Sequence, residues 1–164
     1  MDNQQAKMHF DLGFLVGFLE GEGSLTLNRT GTHKLQPFIG LTNCNMVTFD
    51  RVVEIVRSFN LPHHVDKKYK TKKGRQIGRI HVVGQGRCQQ WLDLLMPHLV
   101  GKRRQGEILT AYIAMRRAAL SKHPFHKPYT DAELLLWDEI HALNTGNARA
   151  PETTRRKQPA TAKV

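Results

Sequence analysis

LGFLVGFLEGEGSLTL, Leu12 to Leu27, decides the fold. It reads as a hydrophobic helix that stops at an acidic glycine turn and enters a strand. Gly13 and Gly17 are four residues apart and share one helix face. A glycine inside a helix costs roughly 1 kcal/mol against alanine. A repeated one therefore points to a close neighbour on that face, with another helix backbone the obvious candidate. Phe14, Leu15, Phe18 and Leu19 supply apolar area around it. At the far end Glu20 and Glu22 alternate with Gly21 and Gly23. Carboxylates are disfavoured at the negative end of the helix dipole, and glycines there permit positive φ and a sharp turn. A cation would explain the arrangement, because a carboxylate and a freed helix carbonyl are hard oxygen donors that suit Mg²⁺. The competing reading is a solvated acidic turn after a buried helix.

The chain has 164 residues, enough for one domain with its own core. Its 25 Lys and Arg against 14 Asp and Glu give a net charge of +11 and favour a polyanionic partner. No apolar run reaches membrane-spanning length, so no membrane partner is expected. MDNQQAKMHFD at the N-terminus has no signal-peptide core, so the protein is expected to be intracellular, in cytoplasm, nucleoid or organelle. Cys44 and Cys88 form no CxxC pair and read as free thiols of a reducing compartment.

The periodicity predicts a helix over residues 10–20, then a strand from Ser24 to Asn28. There Leu25 and Leu27 face inward and Ser24, Thr26 and Asn28 outward. NRTGTHK, with Arg29, is a turn. A second strand, Lys34 to Thr42, turns Ile39 and Leu41 inward and Lys34, Gln36, Phe38 and Thr42 outward, although Phe38 weakens the alternation. Asn45 or Thr48 would cap a helix over residues 47–60. Its stripe of Phe49, Val52, Val53, Val56 and Phe59 reads as core.

DKKYKTKKGRQIGR, residues 66–79, is the most basic part of the chain, with Gly74 at the expected turn. Simple alternation puts Lys68, Lys70 and Lys72 on one face, with Arg75 near the tip and Arg79 and His81 outward on the return strand. Charges this dense repel unless phosphates lie alongside; the plain alternative is a solvated basic hairpin. Four strands sharing one polar, basic face would make a surface for a DNA groove. Gly84-Gln85-Gly86 lacks the rest of a nucleotide fingerprint. Helices are expected over residues 90–99, 104–121 and 130–143. The first would bury Trp91, Leu92, Leu94 and Leu95, and the second Ile108, Leu109, Tyr112, Ile113 and Met115. The third opens on the capping box Thr130-x-x-Glu133 and would bury Leu134, Trp137, Ile140 and Leu143. His123 and His126 lie in a proline-broken loop without nearby cysteines and are not read as a zinc site. Residues 1–143 form the expected domain; 144–164 read as a basic, mobile tail whose Arg149, Arg155, Arg156 and Lys157 could grip phosphates.

Leu15 to Gly23, LVGFLEGEG, resembles the LAGLIDADG signature of homing endonucleases, and the order of elements is similar to about residue 158. The resemblance implies an α+β fold, αββαββα with extra C-terminal helices and an antiparallel DNA-binding sheet. It also implies a single-motif homodimer, because one motif is present and not two. Gly13, Leu15, Val16, Gly17 and Glu20 would lie at the dimer axis. Glu22 matches the metal-binding catalytic acid, with Glu where the family usually has Asp, and the Gly21 carbonyl matches the backbone oxygen on the metal. Lys102 matches a basic residue beside the scissile phosphate, and Gln105 a glutamine of the following helix. Asn43 or Asn45 lies near the position of a solvent-positioning residue, Asn45 being preferred.

The implied activity is site-specific, Mg²⁺-dependent hydrolysis of both strands of double-stranded DNA at a near-palindromic site, leaving short 3′ overhangs, with Mn²⁺ able to substitute. The implied DNA contacts are Ser24, Thr26, Asn28, Arg29, Lys34, Gln36, Thr42, Lys68, Lys70, Lys72, Arg75, Arg79 and His81. Two other readings stand beside it: an RNA maturase that binds its host intron RNA, and an inactive DNA-binding protein of the same fold.

Overall fold

The computed structural model describes residues 2–30, 34–122 and 128–146, with Thr30 and Lys122 described by backbone alone. His123, His126 and the tail arginines and lysine lie outside the described residues. The elements run α1 (Asn3–Glu22), β1 (Gly23–Thr30), β2 (Lys34–Asn43), α2 (Met46–Ser58), β3 (His64–Lys70), β4 (Gln76–Val83), α3 (Gln85–Leu95), a 3₁₀ turn (Met96–His98), α4 (Arg103–Lys122) and α5 (Asp131–Thr145). This is the expected α+β order with further helices at the C-terminal end.

The four strands form one antiparallel sheet in the order β1-β2-β4-β3. Its inner face carries Leu25, Leu27, Leu35, Ile39, Leu41, Ile80 and Val82, all buried. The helices cover that face with Leu15 and Leu19 of α1, Phe49 and Val52 of α2, Trp91 and Leu92 of α3, and Leu109 and Ile113 of α4. The opposite face carries no helix residues in this core. The period of two along each strand thus sorts the sheet into a packed side and an open side.

α1 differs from expectation at both ends. It begins at Asn3, where the Asp2 side chain accepts from the Gln4 amide. Residues 3–9 are exposed and mostly polar, with Ala6 and Met8 their only apolar members, so no apolar stripe announces that stretch. The helix also continues through Gly21 and Glu22. Neither Gly21 nor Gly23 has positive φ; Gly23 is extended, at φ −91°. Gly23 is needed for closeness instead: a Cβ there would lie 2.5 Å from the Leu19 carbonyl oxygen. Asp11, 2% exposed, is held by Lys7 at 2.6 Å and by Arg51 of α2 at 2.5 Å, which ties α1 to α2.

α2 is capped by Asn45 as the sequence suggests. α3 starts earlier than expected, after Gly84 at φ 96°, and ends at Leu95. α5 opens on the anticipated capping box but buries less than its spacing suggests. Ile140 is buried, while Leu134, Leu143 and, on α4, Met115 stay about 40% exposed. Glu133 takes the buried place, caps Thr130 and pairs with Arg116 at 3.5 Å. α5 runs on to Thr145, and the Asn144 amide donates to the Leu25 carbonyl at 2.9 Å.

Gly78 of β4 faces the buried Phe49 ring so closely that a Cβ would collide with it. Gly78→Ala is therefore expected to destabilise the fold by about 1–3 kcal/mol, seen as a lower urea midpoint with unchanged slope. Gly86→Ala, which meets nothing within 4 Å inside α3, should be neutral or stabilising in the same assay.

Candidate functional site

The buried side of α1 holds Leu15, Val16, Phe18 and Leu19. The other side is bare. Gly13, Gly17 and Gly21 are exposed, a Cβ at any of them would meet nothing within 4 Å, and Phe10 beside them is 67% exposed. A helix turns about 100° per residue, so Leu15 lies roughly opposite Gly13 and Gly17, while Val16 lies at the edge of their face and turns into the core. Of the residues expected at a dimer axis, the two glycines lie on an open surface. Leu15 and Val16 lie inside the chain's own core.

The two acids at the end of α1 part company. Glu20 turns to the segment before α4: its carboxylate accepts from the Val100 amide at 2.7 Å and the Lys102 amide at 3.0 Å. Lys102 Nζ donates in return to the Glu20 carbonyl. Glu20 is thus tied within the chain and is not free for a partner helix. Glu22 is exposed, and its carboxylate has no ion pair or hydrogen bond among the described residues. Glu20, Gly23, Ser24, Lys102, Gln105 and Asn144 line one open cleft beside it. The structure therefore brings Lys102 and Gln105 to the acidic turn across more than 80 residues of sequence.

Asn45 lies elsewhere in role. Its side-chain oxygen accepts from the Val47 and Thr48 amides at 3.1 and 3.2 Å, and Asn43 Oδ1 accepts from the Asn45 amide at 2.7 Å. The oxygens of both side chains are engaged in turning β2 into α2.

Glu22 and the Gly21 carbonyl are hard oxygen donors at the negative end of a helix, and their chemistry fits a divalent cation such as Mg²⁺. No group of three His, Cys, Asp or Glu that could hold a metal occurs among the described residues.

The open face of the sheet carries Ser24, Thr26 and Asn28 from β1, and Lys34, Gln36, Phe38 and Thr42 from β2. From β4 come Ile77, Arg79, His81 and Val83. Arg29 falls on the other parity, with its guanidinium 5.6 Å from the Trp137 ring of α5. β3 departs from simple alternation. Its register with β4 shifts between Asp66 and Tyr69, so Asp66 opposes Arg79, Tyr69 opposes Ile77 and Lys70 opposes Gln76. The irregularity inserts one residue and reverses the parity beyond it. Tyr69, not Lys70, therefore shares the face of Arg79, whose guanidinium sits 4.0 Å over the Tyr69 ring. Lys67 turns under the sheet to Asp50 at 2.5 Å. Lys68, Lys72 and Arg75 are exposed at or near the hairpin tip, where the Thr71 amide donates to the Arg75 carbonyl.

At the middle of this face the His64 and His81 rings stack at 5.0 Å, and Phe38 lies 6.5 Å from His81. Gly40 lets the Phe38 ring lie over it, since a Cβ there would lie 2.6 Å from the ring and displace it. Partial burial pushes the His81 pKa below its ordinary value. His64 and Arg79 push the same way, and Asp66 opposes them. Sequence reading missed Tyr69, His64 and Asp66 as open-face groups. Only knowledge of the bulge would have placed Tyr69.

No protein-family model matches the sequence, and no curated protein does either. Solved structures do match the fold. The homing endonuclease I-CvuI, solved in complex with DNA in the presence of Mg and of Ca, superposes with TM-scores of 0.63 and 0.64. The identity is 19%, over 88% of each chain. The archaeal intron-encoded homing endonuclease I-Vdi141I, complexed with DNA, gives a TM-score of 0.53 at 15% identity, over 84% of this chain and 99% of that one. The LAGLIDADG homing endonuclease I-LtrWI, bound to target DNA, gives 0.56 at 15% identity; the match covers 96% of this chain and 51% of that one. The fold is that of the LAGLIDADG homing endonucleases.

The lowered pKa of His81 has a consequence for stability. An unfolded chain binds this proton more readily than the folded one, so the histidine weakens the fold progressively as pH falls through the ordinary histidine range. His81→Gln should lose less stability than the parent chain between pH 7 and pH 5, measured by urea unfolding at both pH values. An equal loss in the two chains would remove His81 as a cause.

Proposed function

We propose that the chain is one half of a homodimeric, site-specific DNA endonuclease that hydrolyses both strands of a near-palindromic duplex. The observation that carries this reading is Glu22, an exposed carboxylate without a partner among the described residues. It stands at the end of a bare glycine face and next to the cleft of Lys102 and Gln105. A second copy laid against Gly13 and Gly17 would bring a second Glu22 to the first across a two-fold axis. Small residues allow two helix backbones to approach closely. The likeness in fold to homing endonucleases solved on DNA supports the same reading.

In this reading the open face of the sheet lies along the duplex. Ser24, the first open-face residue of β1, also lines the Lys102 cleft, so the groove surface runs continuously into the acidic turn. The exposed lysines and arginine of the hairpin tip meet phosphates. Thr42, Arg79, His81 and Phe38 present donors, acceptors and an apolar ring of the kind that read base edges. Arg79 is suited to a guanine edge because the Tyr69 ring limits its freedom.

Glu22 and the Gly21 carbonyl from each protomer would hold the divalent cations. Mg²⁺ fits these oxygens, and Mn²⁺ is an alternative of similar preference. Such ions lower the pKa of bound water and neutralise charge on a phosphate. Lys102 adds a positive charge near the scissile phosphate, where negative charge builds in the transition state. Gln105 in the same cleft can orient a water. Asn45, with its oxygen engaged at the start of α2, is left with its amide group for any contact to solvent. By resemblance to the family, cutting crosses the minor groove and leaves short 3′ overhangs.

Glu22→Gln keeps the size of the side chain and removes its charge. It should bind target duplex within about twofold of the parent, measured in Ca²⁺, while cleavage in Mg²⁺ falls by about 100-fold or more. A variant that cuts at the parent rate would remove Glu22 from the active site.

A further inference from the structure

Glu20 has no reacting role in the reading above, yet it makes more directed contacts than any other acid near the cleft. Its carboxylate spans two backbone donors, the Val100 amide at 2.7 Å and the Lys102 amide at 3.0 Å. Gly101 between them cannot carry a side chain freely: a Cβ would lie 2.8 Å from Glu20 Oε2. Lys102 in turn is the residue on which α4 starts, its carbonyl accepting from the Gly106 amide at 3.1 Å. The positive end of the α4 dipole therefore meets the Glu20 carboxylate. The far end of the same lysine returns to α1, where Nζ donates to the Glu20 carbonyl. Lys102 is held by both its backbone and its ammonium group, and both anchors are on one residue.

We propose that Glu20 is the positioning residue for Lys102. It fixes the ammonium group on the Glu20 carbonyl in the last turn of α1, the turn that also carries Gly21 and Glu22, without itself touching the phosphate. The proposal deepens the endonuclease reading and rests on it. It also explains why a carboxylate stands at a helix C-terminus, where the dipole opposes it: two amides at the start of another helix compensate. A purely structural clamp would hold α4 in place and contribute to stability alone. A positioning residue must act on the chemical step through the lysine.

The test is a double-mutant cycle on the full chain with Glu20→Ala, Lys102→Ala and the double variant. It measures single-turnover cleavage in Mg²⁺, duplex binding in Ca²⁺ and thermal midpoint. Positioning predicts that Glu20→Ala slows cleavage roughly 10- to 100-fold with binding within about twofold. It also predicts that the double variant cuts no more slowly than Lys102→Ala alone. Glu20→Gln, which keeps one acceptor oxygen and fits the same space, should fall between Glu20→Ala and the parent and secures the result should the alanine variant fold poorly. If the two alanine effects multiply, or Glu20→Gln lowers the thermal midpoint without slowing cleavage, Glu20 does not act through Lys102 and the proposal fails while the endonuclease reading stands. If Lys102→Ala cuts at the parent rate, the proposal fails together with the lysine's assigned role.

Discussion

The burial of one side of α1 sets the geometry on which everything else depends. Leu15 and Leu19 are fully buried and Val16 and Phe18 nearly so. Each such side chain contributes about 1.5–3 kcal/mol on leaving water, far more than the rotational preference of an isolated helix. The helix cannot roll without exposing them. Gly13, Gly17 and Gly21 are consequently held outward, and the last turn points Glu22 away from the core. Asp11, clasped by Lys7 and Arg51, pins the same helix to α2. Glu20 pins its other end to the start of α4. A helix buried along one side and tied at Asp11 and Glu20 can present a carboxylate with little positional freedom.

The same sorting of faces shapes the sheet. Apolar residues at every second position commit one side to the core, so polar residues at the other positions must share the open side. Charge is distributed unevenly over that surface. Exposed lysines concentrate at the β3–β4 tip, where a flexible ammonium group suits phosphate. The interior of the face carries stacked or ring-held groups: His81 on His64, and Arg79 on Tyr69. Side chains with little rotational freedom lose little of it on binding.

Much of this was legible in the sequence. Period-two alternation identified most of the inward residues of β1, β2 and β4, and helical spacing most of the core of α2 and α4. Leu35 and Ile55 were missed, and the exposed Met115 was included. Glu22, Lys102 and Gln105 were named from the motif and its register; Lys102 and Gln105 line one cleft with Glu20, and Glu22 follows in the same acidic turn. Three things were hidden for physical reasons. The first turns of α1 are mostly polar and exposed, so no stripe marks them. The bulge after Asp66 leaves no strong composition signal, yet it exchanges Tyr69 for Lys70 on the open face. The Glu20 clamp joins residues 80 apart through backbone amides, which every sequence has everywhere. The place of Arg29 was hidden for a simpler reason: reading it as part of a turn concealed the strand parity that puts it over Trp137.

The central claim is that each chain carries half of a metal-binding active site, completed by a second copy along the glycine face of α1. Mixing tests this most directly. Parent chain and Glu22→Gln chain are unfolded together in varied ratio and refolded so that protomers associate at random, and total strand scission, nicks included, is measured in Mg²⁺. A shared site predicts activity that falls with the square of the parent fraction, to about a quarter in an equal mixture. A linear fall, to about half, would mean that each chain cuts with a complete site of its own and would contradict the account.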